Sequence, residues 1–245
     1  MTVTITQRYL FEVNCYLVPA GDGFVLIDTG LAPRRASLER RLRAAGCSPG
    51  SLRLIVLTHA HSDHAGNCAY LQRVYGAPIA MHVAEAGKAV RGDMFWRDDG
   101  RRDLPTRVAG AALNIVGMGR FEPFRPDVAL HDEQRLNEYG LAAVALHVPG
   151  HTAGSMALLT DGGELYCGDV FTATRRPEVN SLAEDPAALR AAAARLLDRG
   201  PAVVYPGHGR PFSGGALRET LRRAVRSRGR LLETGIRTPR PCDLH

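Results

Sequence analysis

The segment THAHSDHAGN, from Thr58 to Asn67, sets His59, His61, Asp63 and His64 within six positions. Imidazole nitrogens with carboxylate oxygens suit zinc, iron or manganese, and a ligand set without thiolate is usual for catalytic rather than structural zinc. In an extended chain, residues two apart project to the same side, so His59, His61 and Asp63 can share one face. A helix starting near Asp63 would turn His64 toward a second, adjacent position. Three later segments, PGHT (149–152), GD (168–169) and PGHG (206–209), each follow a strand-like run. They read as loops in which glycine relieves the backbone, and they add His151, Asp169 and His208. Seven such groups are too many for one tetrahedral ion but suit two ions about 3.5–4 Å apart, bridged by a carboxylate and a hydroxide. Such a pair brings the pKa of a shared water near neutrality, polarises a carbonyl or phosphoryl oxygen and stabilises a leaving alkoxide or thiolate. That chemistry needs no serine or cysteine nucleophile.

These groups need elements to aim them. Thr2–Thr6, Cys15–Val18 and Phe24–Ile27 read as strands, the last two joined through Gly21-Asp22-Gly23. Pro33–Ala45 reads as an amphipathic helix with Leu38 and Leu42 on one face, ended by Gly46. Leu54–Leu57 is an apolar run without alternation, the pattern of a strand covered on both faces, and it leads straight into the histidine cluster. A helix at Asn67–Tyr75 and a strand at Pro78–His82 follow. From about 85 to 125 charged pieces mix with the apolar VAGAALNIVGMG (108–119), and this stretch reads as a helical or loop insertion. Strand signals return at Val128–His131, Gln134–Asn137, Leu141–Val148, Ser155–Leu159, Glu164–Cys167 and Ala202–Tyr205. Helices are expected at Pro186–Asp198 and Gly215–Leu232. Strands followed by helices in two successive halves imply a layered α/β sandwich, with the halves meeting near 120–135.

Composition bounds the rest. The chain has 245 residues, 45% hydrophobic and 23% charged, which suits one or at most two domains with a sizeable core. The longest uncharged apolar stretch has 12 residues, too short to span a bilayer. Arg8 and Glu12 interrupt any signal-peptide core at the N-terminus, so a cytoplasmic location is expected. The five cysteines (Cys15, Cys47, Cys68, Cys167, Cys242) form no C-x-x-C pair and read as reduced thiols. The net charge is +6, yet ten arginines against three acidic residues lie beyond Asp198, so the body has no basic excess. Nearly all the positive charge is arginine, because Lys88 is the only lysine. Leu217, Leu221, Val225 and Leu232 sit at helical spacing among those arginines, whose default reading is a solvated face. Nucleic-acid binding through that helix is therefore a disfavoured alternative.

The motifs IDTG (Ile27–Gly30), THAHSDHAGN, PGHTAGS, YCGDV and YPGHG stand in an order that resembles the metallo-β-lactamase-fold hydrolases, over residues from about 10 to 232. The resemblance implies a four-layered αββα sandwich, here a single domain over residues 1–245 with the insertion at about 85–125. It implies two Zn²⁺ per chain, with iron or manganese as alternatives. His59, His61 and His151 would hold the first ion; Asp63, His64 and His208 the second; Asp169 would bridge them. Asp63 would also orient the hydroxide and pass a proton to the leaving group, and Asp28 would order the ligand loop from behind. Where cysteine-containing β-lactamases carry arginine and a ligand cysteine, this chain has His64 and Asp169, which argues against antibiotic hydrolysis. His61 stands where oxygen-reducing flavodiiron relatives have glutamate. The 37 residues after His208 argue against the nuclease branch and disfavour glutathione thioesters.

A small-molecule ester, thioester or lactone remains as the expected substrate, with a mononuclear iron persulfide dioxygenase as the alternative. No membrane partner is expected, and a homodimer is open. Phe95, Trp96, Phe121 and Phe124 flank VAGAALNIVGMG, which could form an apolar lid over the metals or could pack against the core or a partner subunit. Tyr139 or Tyr166 could reach an oxyanion, as a tyrosine does in some lactonases of this fold. His82, His131, His147 and His245 read as structural or terminal.

Overall fold

The computed structural model describes residues 1–96, 111–115 and 118–220. A six-stranded sheet takes its strands in chain order: β1 (Val3–Arg8), β2 (Glu12–Ala20), β3 (Gly23–Ile27), β4 (Leu52–Val56), β5 (Ile79–His82) and β6 (Val128–Leu130). The first three run antiparallel and β3 to β6 parallel. The second sheet comprises β7 (Gln134–Arg135), β8 (Ala143–His147), β9 (Met156–Thr160), β10 (Glu164–Ala173), β12 (Val203–Gly209) and β13 (Phe212–Ser213). Its strand order is β13-β12-β10-β9-β8-β7, and β11 (Glu178–Val179) pairs with β10 from outside that path. The halves meet between residues 130 and 134, inside the expected interval.

Alternation along each strand produces the layers. In β3, Val25 and Ile27 pack toward the second sheet, whereas Leu26 joins the opposite cluster. Leu54 and Val56 of β4 face the second sheet in the same way, and Ile55 faces away. The core between the sheets joins these residues to Leu130, Ala145, Leu158 and Tyr166. On the outer face of the first sheet lie α1 (Arg35–Ala44) and α3 (Cys68–Tyr75), through Leu38, Leu42, Leu71 and Tyr75. The outer face of the second sheet is covered by α5 (Pro186–Asp198), through Leu189, Ala192, Ala193 and Leu196. Burying a leucine of this kind contributes about 1.5–3 kcal/mol. The result is the expected αββα sandwich.

Two further helices are short: α2 (Ser62–Ala65) inside the histidine cluster and α4 (Ala86–Arg91) after β5. No helix among the described residues is long and apolar enough to cross a membrane. Residues 111–115 and 214–220 are also helical. Most of the helix expected at Gly215–Leu232, with its arginines, lies outside the described residues. So do RDDGRRD (97–103), parts of VAGAALNIVGMG, Cys242 and His245.

Two of the flanking aromatic residues take the packing alternative rather than the lid. Phe121 and Phe124 are buried in the outer core of the first sheet, where α4 and its following turn complete the apolar layer. Trp96 packs beneath the Arg91 guanidinium, 4.3 Å from ring centroid to carbon, a cation–π arrangement.

Candidate metal centre

The THAHSDH run follows β4, and alternation holds for His59 and His61, which share a grouping; Asp63, expected on their face, instead lies in α2 and groups with His64. The chain leaves β4 extended through His61 and then turns into α2, which begins at Ser62 and swings Asp63 and His64 round. His151 follows β8 in a loop, as expected. Its loop is fixed to the start of α5, where Asp185 caps the amides of Ala187 and Ala188 and its own amide donates to the Gly150 carbonyl at 2.9 Å. Gly150 has φ +136°, and a Cβ there would lie 2.2 Å from the Leu189 nitrogen, so glycine is required.

Asp169 and His208 correct the sequence reading. Both were expected in loops beyond strand ends, but Asp169 lies within β10 and His208 within β12. The β10–β12 register shifts between Tyr166 and Gly168 and again between Gly168 and Thr172, and these bulges aim Asp169 at the histidines without ending the strand. A Cβ on Gly207 would sit 2.3 Å from Asp169 Oδ1, so that position also needs glycine.

The seven side chains converge. Three groupings have ligand atoms within 4.8 Å of one another: His59, His61 and His151; His59, His64 and Asp169; and Asp63, His64 and His208. Asp169 stands between the outer two triads. Its Oδ2 is 3.5 Å from His151 Nε2 and 3.3 Å from His208 Nε2, and its Oδ1 is 3.5 Å from His64 Nε2. Asp63 Oδ2 lies 3.3 Å from His208 Nε2.

Four of the histidines are oriented from behind through Nδ1, which turns Nε2 inward. His64 donates to Asp28 Oδ2 at 2.8 Å, His151 to the Leu182 carbonyl at 2.7 Å, and His208 to the Glu12 carbonyl at 2.5 Å. His59 Nδ1 is 3.1 Å from Thr58 Oγ1, which itself donates to Asp28 Oδ2. His61 instead presents Nδ1, 3.2 Å from His151 Nε2. His59 Nε2, His64 Nε2 and Asp169 Oδ1 are buried and meet no hydrogen-bond partner. Each such orphan costs about 1–3 kcal/mol. Two imidazole nitrogens and a carboxylate oxygen aimed at one place are a donor set that a cation would satisfy, so the residues present fit a metal.

The electrostatics differ across the cluster. Burial first, then the neighbouring imidazoles, push His59 and His61 well below the ordinary histidine value. Burial opposes charge on His64 too, but Asp28, Asp63 and Asp169 outweigh it and hold that imidazole up at about 9. Asp169 and Asp63 overcome the same penalty at His208 and raise it to about 11. Burial would raise Asp63, yet His64 and His208 bring it down to about 2.

Asp28 is the residue behind the cluster that the motif implied. It holds φ +59° at the end of β3, accepts the Thr58 amide at 2.9 Å and binds His64. Sequence reasoning missed several others. Asn14 donates to the carbonyls of Pro206 and Gly209, and Tyr16 to that of Pro206, which clamps the strand of His208. Thr29 Oγ1 donates to the His64 carbonyl, and Asn67 Nδ2 to those of Thr29 and Leu31. Thr29 and Asn67 lie inside quoted motifs and could have been singled out; Asn14 and Tyr16 carry no local signal.

Neither tyrosine proposed for an oxyanion is placed for it. Tyr166 is buried between the sheets with its hydroxyl 2.6 Å from Thr2 Oγ1, and Tyr139 packs against the same core. Cys167 is buried, as a packing residue should be. The run GCSPG (46–50) has the letters of a nucleophile elbow, but it links α1 to β4 and leaves Ser48 exposed. His82 and His147 stack on each other 4.1 Å apart, away from the cluster.

A cavity of about 490 Å³ opens beside His61, Asp63, His151, Asp169 and His208. Phe11, Met94, Leu113, Met118 and Leu182 supply its apolar wall, while Thr172, Glu178 and Asn180 face it with polar groups. Part of the insertion thus borders the site through Met94, Leu113 and Met118.

The family described as the metallo-beta-lactamase superfamily matches residues 8–208. The acyl-coenzyme A thioesterase MBLAC2 of Bos taurus is 32% identical over 65% of this chain and 58% of its own length. The uncharacterized protein YobT of Bacillus subtilis is 31% identical over 66% of this chain and 63% of its own length. The chain thus matches less than two thirds of either relative. The crystal structure of TTHA1623 in a di-iron-bound form superposes with a TM-score of 0.64 at 30% identity, covering 88% of this chain and 96% of that one.

Proposed function

The chain belongs to the metallo-beta-lactamase superfamily, and from that premise we propose that it is a dinuclear metal hydrolase of a small ester, thioester or lactone. The observation that carries the reading is the meeting of two ligand triads at Asp169, beside an apolar-walled cavity. His59, His61 and His151 would hold one ion, Asp63, His64 and His208 the other, with Asp169 shared. Bound there, two ions (zinc in this reading, iron or manganese otherwise) supply hydroxide at neutral pH and polarise the scissile carbonyl.

The chain's own groups do the rest. Asp63 borders the cavity, where its carboxylate can orient the attacking water, take the proton that water gives up and pass it to the leaving group. Met94, Leu113 and Met118 exclude water and offer an acyl chain or ring an apolar seat. Asp28 keeps His64 in the tautomer that presents Nε2. The bovine relative is named an acyl-coenzyme A thioesterase, which favours the thioester within this class. A one-iron persulfide dioxygenase would leave Asp63, His64 and His208 without a role, although they gather as closely as the other triad.

Metal analysis of the purified protein, coupled to a panel of esters, thioesters, lactones and phosphodiesters, tests the proposal. Two metal equivalents with turnover of an acyl substrate are expected. One iron with oxygen uptake, or turnover of phosphodiesters alone, would overturn it.

A further inference from the structure

Behind the three-histidine half lies a buried charged cluster that no motif announced. Glu85 is fully buried at the turn before α4. Its Oε2 accepts the amide of Ala60, the residue between His59 and His61, at 3.0 Å. Its Oε1 accepts the amide of Gly154, three residues after His151, at 3.1 Å. A Cβ on Gly154 would sit 2.6 Å from Glu85 Cγ, so the loop approaches this carboxylate as closely as bare backbone allows.

Lys88, the chain's only lysine, is itself buried and reaches Glu85 Oε2 at 3.3 Å and Glu184 Oε1 at 3.2 Å. Glu184 completes the ring: its Oε2 accepts the Ala153 amide at 3.1 Å, and its own amide donates to the His151 carbonyl at 3.1 Å. Two residues earlier, Leu182 supplies the carbonyl that orients His151 Nδ1.

A buried ion pair is poor value as a source of stability, because desolvation cancels most of the attraction. This one spans the three segments that carry or orient His59, His61 and His151. It touches neither the strand of Asp169 nor that of His208, and in the THAHSDH run it meets the backbone at Ala60, before α2 turns Asp63 and His64 away.

We propose that Glu85, with Lys88 and Glu184, is a positioning cluster that clips the His59–His61 segment to the His151 loop and so sets the metal affinity of the three-histidine half separately from the other half. The inference rests on the metal-centre reading above. Glu85 acts through backbone amides and touches no ligand side chain, so its effect should appear in binding before it appears in turnover.

The test is a zinc titration of the metal-stripped full chain against a chromophoric chelator, with the melting temperature of the metal-free protein read on the same samples. The wild type should show two steps. Glu85→Gln keeps the volume but lacks a second acceptor oxygen, and should weaken one step about tenfold or more while leaving the other within about twofold, the scale of groups that orient ligands. Glu184→Gln, nearer the surface, should weaken the same step by about threefold. His61→Ala should abolish that step, and adding Glu85→Gln to it should leave the surviving step unchanged.

Equal weakening of both steps, or of neither, in Glu85→Gln would overturn the proposal. If Glu85→Gln does not fold, an unchanged titration in Glu184→Gln overturns it instead. A wild type that takes up no zinc at all would remove the metal-centre reading and this inference with it, which separates the two failures.

Discussion

The two halves of the cluster hold the same kind of atoms by different means. Around His59, His61 and His151 the support is mainly indirect: carbonyl and hydroxyl oxygens fix two of the rings, and Glu85 grips the backbone between and behind them. Around Asp63, His64 and His208 the carboxylates touch the rings themselves, with Asp28 at 2.8 Å from His64 and Asp63 at 3.3 Å from His208. The electrostatic consequence is opposite in sign. Burial leaves His59 and His61 far below the usual histidine value, whereas neighbouring carboxylates lift His64 and His208 far above it. One half is a cage of nitrogen atoms set by backbone placement, and the other mixes nitrogen with carboxylate oxygen. Only Asp169 belongs to both.

That shared position gives the most damaging test. Asp169→Ala should remove the contact between the halves and lower hydrolysis by about 10³-fold, with bound metal falling below two equivalents; elemental analysis and a progress curve on the same sample check it. Full activity in this variant would mean the halves work independently, and the bridged arrangement would be wrong.

Asp28→Asn comes next. It breaks the charged bond to His64 directly but reaches His59 only through Thr58. Metal affinity should fall about 10–100-fold at the Asp63–His64–His208 half and by less at the other, read in the same chelator competition that resolves the Glu85 effect. An equal loss at both steps would mean that Asp28 supports the whole loop and that the contrast between anchors is only apparent.

How far the sequence carried this picture depends on whether the cause was local. His59, His61 and His64 were legible because alternation in an extended segment followed by a helical turn fixes where each points; α2 begins one residue earlier than expected, and that takes Asp63 off the face of His59 and His61. α5 was read with its bounds correct because Pro186 and the Asp185 cap mark its start. Asp169 and His208 were identified, but their setting was misread. A bulged pair of parallel strands aims them, and register between β10 and β12 is a property of two segments about 40 residues apart in the chain. Glu85, Asn14 and Tyr16 were invisible for the same reason, since each does its work on backbone groups distant in sequence. Phe121 and Phe124 were left open between lid and core, because an aromatic residue beside an apolar run looks alike whether it faces a cavity or a core.

A smaller effect concerns the wall that both halves share. Met118 is 3% exposed, packs with Val13 and Leu31, and borders the cavity together with Leu113. Met118→Ala enlarges the apolar seat without touching any of the seven metal-cluster residues. For a series of acyl esters, kcat/KM should shift toward longer chains by about tenfold per fitted methylene group, with metal content unchanged. Unaltered chain-length preference would detach the apolar wall from substrate choice.

The smallest expected effect is none at all. Cys15, Cys68 and Cys167 are buried around the cluster, and burial above all raises each thiol well above its ordinary value, most simply by denying the thiolate solvent. Cys68 lies 3.5 Å from Thr29 Oγ1, whose hydroxyl also donates to the His64 carbonyl. If the contrast between a nitrogen cage and a carboxylate cluster is complete, no sulfur belongs to either half. Thiol reagents should then leave these three cysteines unmodified in the native protein, with and without zinc, as read by mass spectrometry of the digested chain. Protection of Cys167 or Cys68 that depends on zinc would place sulfur beside the metal, and the two-part description of the centre would need a third.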